Sequence, residues 1–377
     1  MVLSTIDLLL FNDIIYLMKW FPFKVKKTPK NFLGIDIGTS SIRVVELSRK
    51  GQSLKLINYG EIKTASLQKE PFRTVEKDTL LLSNRETSAA ILAILREAGI
   101  QTREVNLSIP DFSSFFTNFE LPPMTQKELE SAVRYEARSY IPFPLSEITL
   151  DWTIIEGDVS NKVKAPLEIL VVAIPNEVIN QYQEVATLSG LRLRALEAEA
   201  FALSHSLAGN EKKTIGIIDI GARSTTCNVL ENGVLKLSHS FNISGNELTE
   251  ILSRSLGVDY EKAEELKKGI GLAGAETAEQ NIREVLLPLI DLILAEIKKI
   301  FGNYYRRESK EVEKIILAGG TSLLPGLKEY FFEELKKEVE IANPFSRTIF
   351  PPILEETLKE MGPSYAIAVG LAIRGLE

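Results

Sequence analysis

Two short stretches of the chain carry the same order of residue types. In Ile35-Asp36-Ile37-Gly38-Thr39-Ser40-Ser41 an apolar run reaches a carboxylate, one more apolar residue, a glycine and then hydroxyls. Ile217-Ile218-Asp219-Ile220-Gly221-Ala222-Arg223-Ser224-Thr225 repeats that order in the second half. Each predicts a strand running into a tight turn. Gly38 and Gly221 let backbone come close to a ligand, and the N–H and hydroxyl groups of Thr39, Ser40, Ala222 and Ser224 can donate to phosphate. Asp36 and Asp219 stand where a carboxylate could hold Mg2+ through water, which suits a cation that keeps part of its hydration shell. Either stretch alone also reads as a capped hairpin turn with an ordinary aspartate. The repetition points further, to duplicated halves that clamp a nucleotide's phosphates between them. Arg223 stands where a small residue would do, and reads either as a γ-phosphate contact or as a lobe-to-lobe salt bridge. A third stretch, Gly319-Gly320-Thr321-Ser322, leaves an apolar run and opens a helical pattern. Its backbone could lie against a base or sugar, or it is simply a turn between strand and helix.

The elements that must position these residues follow an α/β pattern. Three strands in a row begin each half, at 32–37, 42–47 and 54–61 and again at 214–220, 225–230 and 234–241. Between them, 63–85 reads as loop, 87–98 as a helix with Ala90, Ile91, Ile94 and Leu95 on one face, and 105–110 as strand. Thr125 with Glu128 three residues on predicts a capped helix whose stripe is Leu129, Val133, Ala137 and Tyr140, ended by Pro142 and Pro144. Strands at 150–156 and 168–174 and a helix at 176–189 complete a strand–helix–strand–strand insert over 113–187. A strand at 191–196 and a helix at 198–207 lead to the second half. There, 261–268 and 281–305 are the strongest helices, Pro288 falls inside the longer one, and 312–317 is a strand before the glycine turn and a helix at 324–337. The organisation predicted is an extension at 1–30, a first-lobe core at 31–112, the insert at 113–187 and a return to the first lobe at 188–212. A second-lobe core at 213–243, its helical part at 244–308, more core at 309–348 and a C-terminal helix at 349–377 packing on the first lobe complete it.

Composition bounds the function. With 377 residues, two or more packed lobes are expected, and 45% hydrophobic residues supply their cores. A net charge of -7 argues against nucleic acid as the main partner. The basic excess lies at the front, where Lys19, Lys24, Lys26, Lys27 and Lys30 face only Asp7 and Asp13. The apolar stretch 2–23 is interrupted by Asp7, Asp13 and Lys19, so it does not read as a membrane span of about 20 residues. It reads either as an interfacial amphipathic anchor or as a short basic leader that starts at Met18. Cys227 is alone, so no intrachain disulfide forms and a reducing compartment fits. His205 and His239 are too few for an ordinary zinc site or a Ser-His-Asp triad and read as surface or packing residues.

Two Asp-x-Gly turns followed by a Gly-Gly turn resemble the superfamily of actin, sugar kinases and heat-shock chaperones. The resemblance covers residues 31–377. It implies an α/β, actin-like (ribonuclease H-like) duplicated two-lobe ATPase fold, with ATP and Mg2+ in the cleft. Carried over, Glu197 in Leu196-Glu197-Ala198-Glu199-Ala200 resembles the carboxylate that positions the magnesium or its water, with Glu199 the alternative. Ala263-Glu264-Glu265-Leu266-Lys267 looks like the helix whose Glu264 and Lys267 grip ribose or adenine, although it also reads as a solvated helix face. The insert narrows the resemblance to the FtsA and PilM families. Ala132-Val133-Arg134-Tyr135-Glu136-Ala137, Tyr140-Ile141-Pro142-Phe143-Pro144 and Leu150-Asp151-Trp152 are similar to the PilM family of type IV pilus assembly, as is the final stretch Pro363-Ser364-Tyr365-Ala366-Ile367-Ala368-Val369-Gly370-Leu371-Ala372. Residues 1–17 have no counterpart in the usual start of that family.

Resemblance to the PilM family implies a cytoplasmic nucleotide-binding interaction protein at the inner face of the inner membrane. Its implied partner is the N-terminal cytoplasmic peptide of PilN, with other inner-membrane and motor components of the pilus and self-association left open. A short tail can gain affinity by main-chain pairing or by seating alternate side chains in a groove. The aromatic residues Phe112, Phe115, Phe116, Phe119, Tyr140 and Phe143 make the insert-to-lobe junction near 140–144 the expected place. Hydrolysis is expected to be slow or absent. The alternatives are an FtsA-like division filament and a sugar kinase-like phosphotransferase.

Overall fold

The computed structural model describes residues 30–51, 53–64, 83–159, 165–209, 211–274 and 277–377. The expected leader or anchor at the front and most of the loop expected at 63–85 lie outside the described residues. Among the described residues no helix is long and apolar enough to cross a membrane.

The chain forms two compact units, and the described part of the smaller one covers 114–177 with its gap at 160–164. The larger unit begins with β1 (Asn31–Ile37), β2 (Ser41–Lys50) and β3 (Ser53–Lys63), an antiparallel meander. Helix α1 (Asn84–Glu97) follows, and the Ser83 and Glu86 capping box fixes its start. Strand β4 (Glu104–Ile109) then lies parallel to β1.

The smaller unit is β5 (Phe115–Leu121), α2 (Gln126–Ala137), β6 (Ile148–Glu156) and β7 (Leu167–Pro175), with the sheet order β5-β7-β6. The predicted capping box of Thr125 and Glu128 is present, and Leu129, Val133 and Ala137 bury the inner face of α2 against the sheet. Tyr140 is not the end of that stripe. The helix stops at Ala137, so Tyr140 stays partly exposed and stacks on Phe119 at 5.2 Å.

Helix α3 (Asn176–Leu188), β8 (Arg192–Ala198) and α4 (Glu199–Leu203) return to the larger unit. The helix expected at 198–207 is only one α turn, after which Ser204–Ala208 winds as a π-helix. The second meander is β9 (Ile215–Ile220), β10 (Thr225–Glu231) and β11 (Val234–Phe241). It leads to α5 (Gly245–Leu256), α6 (Tyr260–Gly269) and the long α7 (Thr277–Glu308), which holds Pro288 within it. Strand β12 (Lys314–Ala318), α8 (Leu327–Leu335), β13 (Glu338–Ile341), β14 (Thr348–Ile349) and α9 (Glu355–Leu376) end the chain.

The strand orders carry the duplication. One sheet runs β14-β3-β2-β1-β4-β8 and the other β11-β10-β9-β12-β13. Apart from the short edge strand β14, each places its first strand in the middle, its hairpin partners on one side and two parallel strands on the other. In each sheet the C-terminal ends of the parallel strands form one edge, where open α/β sheets bind ligands. The apolar face of the second sheet buries Ile218, Cys227, Val229, Ile315 and Leu317 against α5 and α7. The hydrophobic stretch Tyr365–Leu376 of α9 covers Phe32, Val45 and Leu47 of the first sheet.

Candidate functional site

The two Asp-x-Gly turns close by the same bond. The N–H of Gly38 donates to the carbonyl of Ser41 at 3.1 Å, and that of Gly221 to the carbonyl of Ser224 at 3.0 Å. Thr64 braces the first turn, its N–H donating to the Ser40 carbonyl and its hydroxyl to that of Thr39. The second turn is braced by the start of α5, where the N–H groups of Gly245 and Asn246 donate to the carbonyls of Gly221 and Ala222. Gly38, Thr39, Ser40, Gly221, Ala222, Arg223 and Ser224 are all half-buried.

Four carboxylates gather at the strand ends. Asp36 closes β1, Asp111 follows β4, Glu199 follows β8, and Asp219 closes β9. Asp111 and Glu199 interlock: the Asp111 N–H donates to Glu199 Oε2 at 3.1 Å, and the Ala200 N–H donates to Asp111 Oδ1 at 3.2 Å. Asp36 accepts from the Ser108 hydroxyl at 2.9 Å and faces Arg43 Nη1 at 3.6 Å. Burial pushes all four carboxyls upward. It does so for Asp36 against the pull of Arg43 and Ser108. Asp111 is raised to about 7 by burial and the Asp219 charge, against the Ala200 hydrogen bond, and Asp219 to about 7 by burial and the Asp36 charge. Glu199 is raised well above the usual range by burial and by the charges of Asp111, Asp36 and Asp219. Such mutual repulsion marks groups within Coulombic reach in a poorly hydrated place. Among the described residues no three of these carboxylates bring an oxygen each within 4.8 Å of one another, which suits a cation held through its waters rather than caged directly.

Asp111 has no place among the residues expected from sequence. The available signal was its position directly after a strand parallel to the Asp36 strand. Of the two glutamates expected to compete for one role, the structure brings Glu199 to the cluster, whereas Glu197 takes His205 Nε2 at 3.1 Å. His205 is therefore an ion-pairing residue rather than a bland one. Burial lowers its pKa, but the Glu197 carboxylate beside it raises it further, leaving it above the ordinary value.

The Gly-Gly turn lies beside Asp219, because β12 pairs with β9 and sets Ala318 opposite it. Gly319 adopts φ +81°, and a β-carbon there would collide with Asp219 Oδ1 and the Ile220 carbonyl, so glycine is required. Gly320 opens a 3-10 turn in which the Ser322 hydroxyl donates to the Gly319 carbonyl at 2.7 Å, and Thr321 is buried against Gly245.

Glu264 and Lys267 are not a solvated helix face. Lys267 is 5% exposed, and its ammonium meets the Gly245 carbonyl at 2.8 Å, the Thr249 hydroxyl at 2.7 Å and Glu264 at 2.6 Å. Burial lowers the Lys267 pKa against the pull of Glu264. Burial opposes the Glu264 charge too, yet Lys267, Thr249 and Lys268 hold that carboxyl down to about 2. The pair thus joins α6 to the first turn of α5, beside the second Asp-x-Gly turn. Arg223 lays its guanidinium over the ring of Phe112, 4.3 Å from the centroid, a contact that neither expected role anticipates.

Known proteins carry the same architecture. A PilM from a PilM-PilN type IV pilus biogenesis complex is 26% identical, with a TM-score of 0.80 over 93% of this chain and 100% of that one. An MreB of Spiroplasma citri bound to ADP shares the fold at a TM-score of 0.52, with 15% identity over 91% of this chain and 95% of its own. In sequence, the cell division protein FtsA of Streptococcus pneumoniae is 23% identical over 83% of this chain and 75% of its own length. The family described as type IV pilus assembly protein PilM matches residues 34–376, and the chain accordingly belongs to that family.

Proposed function

We propose that this protein binds ATP with Mg2+ at the strand ends and, in its nucleotide-bound form, holds the N-terminal cytoplasmic peptide of a PilN-like inner-membrane protein, coupling nucleotide state to the pilus machine. The observation that carries the nucleotide reading is the carboxylate cluster. Asp36 pairs with Arg43, whereas Glu199 feels the charges of Asp111, Asp36 and Asp219, so the cluster gathers buried negative charge that a cation would offset. Magnesium would supply it when bound, and the turns at Gly38, Gly221 and Gly319 would leave room for phosphates and nucleoside. The MreB relative was found with a nucleotide, and the PilM relative with PilN.

For the peptide, the smaller unit offers Tyr135, Tyr140 and Phe143, all exposed. Exposed large rings on a folded surface often mark partner sites. Through that partner the protein works at the cytoplasmic face of the inner membrane. Calorimetry with ATP, with and without Mg2+, followed by titration of a PilN tail peptide, tests the reading. Binding of ATP that is magnesium-dependent, and of peptide that is lost by about 1–3 kcal/mol in Phe143→Ala, is expected. Wild-type protein that ignores ATP at millimolar concentration would overturn the nucleotide part.

A further inference from the structure

Among the described residues, two of the buried polar atoms without a hydrogen-bond partner bear on the cluster. Asp111 Oδ2 is one, in a residue that is 2% exposed. The other is the hydroxyl of Tyr182 on α3, 1% exposed, and the charges of Glu199 and Asp36 both reach it. Buried polar atoms are almost always paired, and an orphan has to be explained by what the site holds in use. These two are complementary in kind. A carboxylate oxygen accepts, and a phenol donates.

The rest of Asp111 is immobilised. Its Oδ1 is taken by the Ala200 N–H and its own N–H by Glu199, so the free oxygen cannot swing to another partner without breaking one of these bonds. Position agrees with this. β4 lies between β1 and β8 in the sheet, which puts Asp111 between the ends that carry Asp36 and Glu199. An unpaired carboxylate oxygen buried within reach of the Asp219 and Glu199 charges is unfavourable, and no described residue hydrogen-bonds to it.

We propose that Asp111 is a further cation-facing residue of this site, its free oxygen accepting from the water shell of the magnesium ion that accompanies the nucleotide, with the Tyr182 hydroxyl donating to a water or phosphate oxygen on the same side. The proposal rests on the nucleotide reading and deepens it. Asp111 touches the cation's water, while the Asp111 N–H orients Glu199 toward the same shell.

The test uses Asp111→Asn and Tyr182→Phe in the full-length protein. Asparagine keeps the volume and an oxygen for the Ala200 N–H, and the backbone bond to Glu199 is untouched. Mn2+ serves as a probe, its binding at saturating ATP followed by electron paramagnetic resonance, and ATP binding in EDTA by calorimetry. Removing a hydrogen bond to a charged group should weaken Mn2+ by about 10- to 100-fold in Asp111→Asn. ATP affinity in EDTA should hold within about twofold. Tyr182→Phe should weaken ATP with metal by about threefold.

Both variants should also raise the melting temperature of the nucleotide-free protein, because Tyr182→Phe removes a buried unpaired hydroxyl and Asp111→Asn removes a buried acid repelled by Asp219. Higher stability with weaker metal or nucleotide binding separates a ligand-facing residue from a structural one, whose loss would lower both. Wild-type Mn2+ affinity in Asp111→Asn, or a variant that melts lower or does not fold, overturns the proposal while the nucleotide reading stands. Wild-type protein without metal-dependent ATP binding overturns both.

Discussion

At the end of β1, Asp36 shares its carboxylate with the Ser108 hydroxyl and the Arg43 guanidinium; at the end of β9, Asp219 takes no side-chain hydrogen bond among the described residues. The turns that follow are closed by the same N–H to carbonyl bond and differ by only 0.1 Å in its length, 3.1 against 3.0. Two copies of one backbone device thus carry unlike electrostatics. The first copy is partly neutralised from within, by Arg43, which in turn reaches Glu61 at 3.0 Å and lies over Tyr365. The second copy has the Gly319 backbone pressed against it, and its own arginine, Arg223, lies over the ring of Phe112. A duplicated fold can keep its geometry while changing its electrostatics, with one aspartate held by a hydroxyl and a guanidinium and the other without a side-chain hydrogen bond among the described residues.

The largest test of that contrast is a pair of charge-removing variants. Asp219→Asn should weaken magnesium-dependent ATP binding by about 2–3 kcal/mol, the scale of a charged hydrogen bond lost. Asp36→Asn should weaken it by about half as much, since Arg43 already offsets part of that charge. Calorimetry at fixed Mg2+ reads both. Equal losses would mean that the two turns serve the cation alike, and unchanged affinity in both would remove the site from the strand ends.

The next test is the proton. In the folded chain the Asp219 carboxyl is raised from an ordinary 3.8 to about 7 by burial and the Asp36 charge. Between those values the folded state binds more protons than the unfolded one, so this group's contribution to stability falls as pH rises through the window. Asparagine does not titrate. Without nucleotide, Asp219→Asn should melt close to wild type near pH 4 and increasingly above it toward pH 8. Parallel melting curves across that range would show that Asp219 is not held neutral by its surroundings.

These contrasts also show what the sequence could and could not tell. The fold class and the family resemblance were legible because the turn order repeats and each meander starts from a short continuous apolar run that ends in turn residues. Glu199 could not be ranked above Glu197 in advance. Both stand near the end of one strand, and the choice depends on which faces Asp111 and which faces His205, a tertiary matter. Asp111 escaped because a single aspartate after a proline in Ser108-Ile109-Pro110-Asp111 has no local motif; its meaning comes from the parallel register of β4 with β1 and β8. The π-helical winding at Ser204–Ala208 left no signature in the residues either, since nothing in Ser-His-Ser-Leu-Ala forbids an ordinary α turn.

A smaller effect is expected at the contact between Phe112 and Arg223. Phe112 stands two residues before Ser114, where the smaller unit begins, and Arg223 belongs to the second turn. Guanidinium–ring stacking contributes about 0.5–1 kcal/mol at a partly exposed site. Phe112→Leu should reduce the stability of the nucleotide-free protein by about that much. If phosphate competes with the ring for Arg223, the same variant should bind ATP about two- to fivefold more tightly. Denaturant unfolding and calorimetry measure the two quantities. A drop in ATP affinity alongside the drop in stability would make the stack a support of the turn rather than a competitor for its arginine.

The smallest expected effect tests the likeness rather than the difference. A β-carbon at Gly38 would meet the Ser41 carbonyl at 3.1 Å, and one at Gly221 would meet the Ser224 carbonyl at 3.1 Å. Neither glycine has a positive φ, so alanine is admissible at both in backbone terms. The contact is tight enough that each carbonyl must yield by a few tenths of an ångström. Against that small penalty, replacing glycine stiffens the unfolded chain, which favours folding by about 0.4–1 kcal/mol. The opposing terms should leave Gly38→Ala and Gly221→Ala within about 0.5 kcal/mol of wild type, and within the same margin of each other. Denaturant midpoints at constant slope read this directly. If one variant lost more than about 1 kcal/mol while the other did not, the turns would differ in mechanics as well as in charge, and the contrast between Asp36 and Asp219 would have to be attributed to their backbones rather than to Arg43.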